Sequence, residues 1–169
     1  MTQSIHYILT PRTRTGFGLV ETVVGVAIIG TVLLGLAEVG RFTFRLVDNS
    51  NLELRAVFLT EEGIEAIRTL RDTSWTTKIT PLANGTSYYF TFSGGAWQLG
   101  TAKVAKVDST FLRTVTFGAV NRDSSDNIVT SGGTLDPNAR QVTVAVGWMN
   151  RGRAATTTIS TYLTNLFNN

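Results

Sequence analysis

Residues 16–40 read GFGLVETVVGVAIIGTVLLGLAEVG, and this stretch decides the architecture of the chain. No charged residue lies between Glu21 and Glu38. A helix from Phe17 to Gly40 would span roughly 36 Å at about 1.5 Å per residue, whereas a bilayer hydrocarbon core is about 30 Å thick. The stretch therefore predicts a membrane-spanning helix.

The residues before this span carry only positive charge. Arg12 and Arg14 precede Gly16, and no Asp or Glu does. Basic residues next to a span favour a cytoplasmic location for that end, although Arg41 and Arg45 beyond the other end weaken the asymmetry. We expect a single-pass inner-membrane protein with a cytoplasmic N-terminus and its remaining residues outside.

The net charge of +3 comes largely from the residues that precede Gly16. The chain holds 15 Lys and Arg, two of which are Arg12 and Arg14, so residues 17–169 carry 13 basic against 12 acidic side chains. A chain so close to neutral exerts little general attraction on phosphate backbones. Nucleic acid is therefore an unlikely partner on charge, although a local basic patch stays open.

The composition also removes most catalytic and metal-binding chemistry. The chain has no Cys, and its one His is His6. Residues 17–169 therefore lack the commonest general base, the thiol nucleophile and the usual zinc ligands. We predict a non-enzymatic protein with no catalytic, cofactor-binding or metal-ligating residues, while chemistry built from Ser, Lys, Asp and Glu stays formally open.

A conventional export signal is the alternative interpretation of the N-terminus. Gly35-Leu36-Ala37 has the small residues of a signal-peptidase site, which would make the protein an exported or signal-anchored one. A signal-peptide core has about 7–15 apolar residues, and the apolar segment here is longer. Glu21 also lies within the first turns of this segment. A carboxylate at that place needs another explanation.

The segment Gly16-Phe17-Gly18-Leu19-Val20-Glu21 resembles the prepilin peptidase site of type IV pilins and type II secretion pseudopilins. The resemblance implies cleavage between Gly16 and Phe17, N-methylation of Phe17, and a role for Glu21 in filament assembly. It also implies two kinds of partner, a prepilin peptidase/methyltransferase and other pilin or pseudopilin subunits. The family often has Thr where this chain has Gly18, and the lack of Pro in the span favours a minor pilin or pseudopilin over a major pilin.

Physical chemistry supports a pairing role for Glu21. Cleavage before Phe17 creates an α-amino group, whose reference pKa of about 7.7–8.0 leaves much of it charged at neutral pH. Glu21 lies one helical turn away, and a buried carboxylate is costly unless it is paired. The plainer alternative is an acid in the first turn that the helix dipole favours.

Small residues recur along the span. Ala27, Thr31 and Gly35 follow each other at intervals of four, a spacing that lets membrane helices approach closely. Glycine also recurs every five residues from Gly25 to Gly40, which predicts a helix that is easily loosened. The general abundance of Gly in membrane helices explains the glycines equally well.

Beyond the span, the pattern predicts an α+β fold in which one long helix packs against an antiparallel sheet. We divide the chain into a leader peptide (1–16), a transmembrane and assembly helix (17–40), an amphipathic continuation of that helix (41–72) and a β-rich head (73–169). Apolar residues at 54, 57, 64 and 67 mark the expected inner side of the continuation. Strands are predicted in 87–92, 96–99, 111–117, 140–149 and 154–163, with loops gathered in 121–137.

Two surface features of the head could be mistaken for sites. Asp123, Asp126 and Asn127 carry oxygen ligands but lack the spacing of a calcium loop, so a solvated turn is the better interpretation. Arg140, Arg151 and Arg153 could form a basic hairpin tip. Aromatic partners for nucleic-acid bases are scarce near them, which favours an ordinary turn.

The sequence therefore predicts a structural subunit, a minor pilin or pseudopilin, of a type IV pilus or a type II secretion-like filament. The subunit would first reside in the inner membrane and then in a surface or periplasmic filament. The alternatives are an adhesion or DNA-uptake minor pilin whose head binds a ligand, and a signal-anchored exported protein.

Overall fold

The computed structural model describes Gly16 and residues 18–169. Phe17 and the leader segment before Gly16 lie outside the described residues, and so does the predicted cleavage bond. The elements, in chain order, are α1 (Leu19–Thr73), a π-helical turn (Trp75–Ile79), β1 (Tyr88–Ser93), β2 (Ala96–Gly100), β3 (Leu112–Arg122), β4 (Ile128–Val129), β5 (Thr134–Asn150) and β6 (Arg153–Thr164). A long helix followed by a six-stranded antiparallel sheet confirms the predicted α+β fold.

The chain divides into two compact units, one ending at Leu46 and the other consisting of Val47–Asn169. We call Val47–Asn169 the head. Both clusters of buried apolar side chains, one around Ile67 and Val144 and one around Phe111 and Trp148, lie entirely within the head. Helix α1 contributes its residues 47–73 to that unit.

The sheet is antiparallel throughout, with the strand order β2-β1-β3-β5-β6 and with β4 paired to the end of β3. The predicted β1–β2 hairpin turns at Gly94 and Gly95, whose φ angles are +62° and +77°. The predicted β5–β6 hairpin turns at Arg151 and Gly152, with φ of +49° and +80°. Positive φ at both central residues matches the right-handed twist of the flanking strands, so these turns close tight hairpins.

The alternation predicted for β5 is confirmed. Val142, Val144, Val146 and Trp148 are all buried and point to the face covered by α1. The prediction of loops in residues 121–137 is only partly right, because β3 extends to Arg122 and β5 begins at Thr134. The register between β3 and β5 shifts between the pairs Ala119↔Arg140 and Asn121↔Leu135, so the extra residues, which include Pro137, lie in β5. Bulges are where sheets tolerate proline.

Small residues let α1 approach the sheet closely. Ile64 and Ile67 are buried as predicted, but Leu54 is 57% exposed, so the inner side of the helix is rotated from the predicted stripe. Thr60 and Gly63 are buried on the contact side instead. A Cβ on Gly63 would lie only 2.8 Å from Cγ1 of Val144. The helix backbone at Gly63 therefore packs directly against the Val144 side chain.

A buried arginine fixes α1 on the sheet. Arg113 of β3 is 6% exposed and donates from Nη1 to the carbonyl oxygen of Leu59, 3.0 Å away. The same nitrogen lies 3.0 Å from Oε2 of Glu62. The guanidinium also lies 4.8 Å from the ring centroid of Phe90 and 5.1 Å from that of Trp97, distances at which cation–π attraction operates. These contacts define the axial position of the helix.

Candidate functional site

The apolar part of α1 that precedes the head is long and apolar enough to cross a membrane, by length and composition. Its most apolar 18-residue window has a mean hydropathy of 2.3, and none of that window is buried in the chain. Large apolar side chains are exposed around the helix, namely Leu19, Val20, Val23, Val24, Val26, Ile28, Ile29, Val32, Leu33, Leu34, Leu36 and Val39.

The physical consequence is that water is an unfavourable environment for so many exposed apolar side chains. Fully burying a Val, Leu or Ile side chain is worth about 1.5–3 kcal/mol relative to leaving it in water. Monomeric soluble proteins rarely expose contiguous apolar patches larger than a few hundred Å². A helix of this length and composition could cross a membrane.

Glu21 lies in the first turn of α1, close to the helix start. The carbonyl oxygen of Gly18 accepts the backbone N–H of Thr22 at 3.1 Å and its hydroxyl at 3.4 Å, so Gly18 is the N-cap residue. Glu21 is then the third residue of the helix, where the dipole favours negative charge. Within residues 18–169 Glu21 forms no ion pair, and the α-amine predicted as its partner belongs to Phe17, outside the described residues.

The small residues predicted for helix packing are all accessible. Ala27, Thr31 and Gly35 are exposed, and the hydroxyl of Thr31 donates to the carbonyl oxygen of Ala27 at 2.9 Å. The stripe therefore presents no unsatisfied hydroxyl to a neighbouring helix. The helix is unbroken through Gly25 and Gly40, and an added Cβ at either position would meet nothing within 4 Å.

The acidic loop of the head is built by its own hydrogen bonds. Oδ1 of Asp123 accepts the backbone N–H groups of Ser125 and Asn127, each at 2.9 Å. The Asn127 N–H is the main cause of a lowered pKa of the Asp123 carboxyl. Next to the loop, a hydrogen bond from Arg122 lowers the pKa of Asp136. The described residues contain no group of three potential metal ligands, and these contacts agree with a solvated turn.

Of the three arginines considered for a basic hairpin tip, Arg140 does not lie near the turn. Arg140 lies opposite Leu163, at the other end of the β5–β6 hairpin from the turn. Arg151 is in the turn, where its Nη2 lies 3.8 Å from Oδ2 of Asp48, and Arg153 is the first residue of β6. The length of β5 separates Arg140 from the other two arginines.

Two features that define the head were not recognised in the sequence. Neither Gly63 nor Arg113 was singled out in the sequence. A helix glycine flanked by apolar positions at i+1 and i+4 was the available signal for the first. Comparisons with protein-family models, curated protein sequences and solved structures find no match to this chain.

Proposed function

We propose that this chain is a structural subunit of a type IV pilus or a type II secretion-like filament, a minor pilin or pseudopilin. One observation carries the proposal: a helix without charge from Thr22 to Ala37 starts with an acid in its first turn and leads to a separately packed head. Insertion in the inner membrane, cleavage after Gly16, methylation of Phe17 and extraction into a filament would follow in that order.

The position of Glu21 favours a polymer over a simple anchor. In a lone anchor the carboxylate would lie at the membrane boundary with no benefit beyond the helix dipole. In a filament, the amine of a neighbouring subunit gives it a partner in surroundings of low dielectric, where pairing is strongest. Such a pair would also set the axial register between helices whose remaining contacts are apolar and unspecific.

The exposed stripe of Ala27, Thr31 and Gly35 supports the same proposal. Because lipid tails are as apolar as Leu, helices associate in membranes through close packing of small residues rather than through the hydrophobic effect. A stripe with its hydroxyl already bonded to the helix backbone can contact a second helix without a desolvation cost.

Mass spectrometry of the mature N-terminus tests the processing step. We expect the protein isolated from its own membranes to begin with N-methylated Phe17. A protein that begins at Glu38 would indicate an ordinary signal peptidase, and one that begins at Met1 would indicate an uncleaved anchor. Either result would refute the proposal.

Substitution of Glu21 tests the assembly step. We expect Glu21→Ala to be cleaved normally but to be absent from sheared filaments. Glu38→Ala is the matched control, since Glu38 lies at the other end of the apolar segment and pairs with Arg41 of its own helix at 2.8 Å. Equal incorporation of Glu21→Ala and Glu38→Ala would remove the role assigned to Glu21.

A further inference from the structure

The two edges of the sheet differ in how well they are protected. β6 pairs with β5 alone among the described residues, and β2 pairs with β1 alone. β2 has five residues and ends at Gly100, and short edge strands are one way in which proteins prevent unwanted pairing. β6 has 12 residues, about twice the usual length of a strand.

Beyond Arg153 at its first position, β6 has no charged residue, proline or bulge of the kind that protects an edge. From Ala154 to Thr164 it contains no Lys, Arg, Asp, Glu or Pro. Its register with β5 is continuous from Asn150↔Arg153 to Ala139↔Thr164, without a bulge. An edge so long, and without charge from Ala154 onward, presents a row of backbone N–H and C=O groups to which another strand can pair. We therefore expect this edge to be an interface.

Grooves of opposite charge accompany the two edges on the face that α1 covers. A groove of about 420 Å³ beside β6 is lined by Glu61, Ile64, Glu65, Arg68 and Ile159. A groove of about 390 Å³ beside β2 is lined by residues that include Lys78, Leu82, Trp97 and Leu99. Arg68 is paired with Glu65 at 2.5 Å, which leaves the first groove acidic.

Glu61 and Lys78 are the charges without a partner in these grooves. Neither forms an ion pair with any other residue in the described part of the chain. If the β2 edge of one copy met the β6 edge of the next, an acidic and a basic groove wall would face each other. This complementarity selects a second copy of the chain as the occupant.

The two edge strands are also compatible in their direction and in their position along the sheet. Four successive antiparallel pairings separate β6 from β2, so the two strands run parallel. The ladder connects Ile159 across the sheet to Tyr88, and Leu99 pairs with Phe90, only two residues further along β1. Copies that share one orientation, as in a polar filament, therefore bring β6 and β2 together at the same level.

We propose that the sheet continues from one subunit to the next, with β6 of one head paired in parallel to β2 of its neighbour and Lys78 of that neighbour facing Glu61. The shared orientation of the copies rests on the proposed function. Parallel pairs are slightly weaker per residue than antiparallel ones, and β2 is short. The contact suits an interface that forms only when subunits are already concentrated on a membrane or in a filament.

Cysteine cross-linking of the full chain in its membrane tests the proposal, because the natural protein has no Cys. A chain with both Glu61→Cys and Lys78→Cys can react at two sides, so head-to-tail contact yields a ladder of dimers, trimers and larger species. The single variants can give dimers at most. In the control, Glu61→Cys is combined with Asp126→Cys, whose loop side chain is 85% exposed and lies on no sheet edge.

A second pair of cysteines reports on the strands themselves. Thr158→Cys in β6 and Gln98→Cys in β2 both lie on the strand positions that alternate with the residues facing α1. We expect ladders from both pairs, on the order of tenfold above the control because neighbouring groups react at a high effective concentration. A ladder from Glu61→Cys/Lys78→Cys alone would show contact of the grooves without strand pairing and overturn the proposal, as would no ladder from either pair.

Failure of this inference is distinguishable from failure of the proposed function. Methylated Phe17 and loss of assembly in Glu21→Ala, combined with absent ladders, would leave the filament subunit standing without the continuous sheet. Ladders in a protein that begins at Met1 or Glu38 would show the opposite: heads that pair through these edges without pilin processing.

Discussion

Replacing Gly63 by Ala tests whether the contact between α1 and the sheet is as close as the structure shows. The new Cβ would lie 2.8 Å from Cγ1 of Val144, 3.2 Å from Cδ of Arg113 and 3.5 Å from Cζ of Phe90. Carbon atoms in favourable contact are about 3.5–4.0 Å apart, so Val144 must move by several tenths of an ångström. Val144 is β-branched and fully buried, so its side chain has no alternative position nearby.

Two opposing terms set the magnitude. Alanine is better than glycine in a helix interior by about 1 kcal/mol. Overpacking a core typically costs about 1–3 kcal/mol. We expect the steric term to win, so that Gly63→Ala lowers the free energy of unfolding of the head by about 1 kcal/mol, or its Tm by about 4 °C. Gly63→Val adds two more methyl groups to the same contact and should cost about 2–4 kcal/mol.

Urea unfolding of residues 47–169 measures the effect, because both core clusters lie inside that unit. The Val144→Ala background provides the control, since it removes the atom that the new methyl group would meet. In that background Gly63→Ala should become stabilising, by up to about 1 kcal/mol, because the helix term acts alone. If Gly63→Ala stabilises the head with Val144 intact, the close approach of helix and strand is refuted.

Further predictions concern the charges of the head. Arg113→Ala should cost about 2–4 kcal/mol through lost packing and cation–π contacts. Arg113→Met should cost much less, because its unbranched side chain keeps most of the packing and because Glu62, whose side chain is half-exposed, stays hydrated without its partner. Urea unfolding of both variants and of Glu62→Gln decides this. Asp136→Asn should lower the Tm at pH 7, because Arg122 holds the folded-state pKa of Asp136 below its unfolded value of about 3.9. That stabilisation is present above the unfolded pKa and is lost as pH falls through the folded pKa. The Tm difference should therefore shrink as pH falls below about 4, and a difference that does not shrink would contradict the assignment.

The sheet could be predicted from the sequence because its signals are local. In β5, Val142, Val144, Val146 and Trp148 alternate with non-buried residues, and period-two alternation specifies a half-buried strand. Both hairpins are marked by turn residues that tolerate positive φ, with glycine at three of the four central positions. These features depend on neighbours in the chain, so no tertiary information is needed.

The packing of helix on sheet could not be predicted, because it depends on residues that are distant in sequence. Leu54 and Ile64 look alike as apolar helix residues, yet Leu54 is exposed and Ile64 is buried. What selects the buried side is the space that Gly63 leaves for Val144 and the carbonyl that Leu59 offers to Arg113. The edge position of β6 could not be predicted either, because it follows from the order in which the strands pair.

The apolar part of α1, residues 19–40, is the reverse case, because its sequence pattern rather than its contacts within the chain points to a function. Its apolar residues are exposed along the whole segment, so no contact within the described residues constrains them. The resemblance of residues 16–21 to a processing site therefore supports the proposal alongside the charge-free helix with its first-turn acid, and the structure adds the position of the helix start. That position creates a sharper question about Glu21.

Because Gly18 is the N-cap, Glu21 occupies the helix position where an acid helps a helix to start, with or without a filament. Glu21→Gln separates the two roles: a Gln at this position can still bond to backbone N–H groups of the first turn, but it carries no charge to pair with an α-amine. We expect Glu21→Gln to insert, to be cleaved and to fold like the natural protein, and to be lost from filaments as completely as Glu21→Ala. Sheared filaments and membrane fractions, quantified side by side, make the comparison. If Glu21→Gln enters filaments at the natural level, the acid serves the helix start alone and the intersubunit pair does not exist.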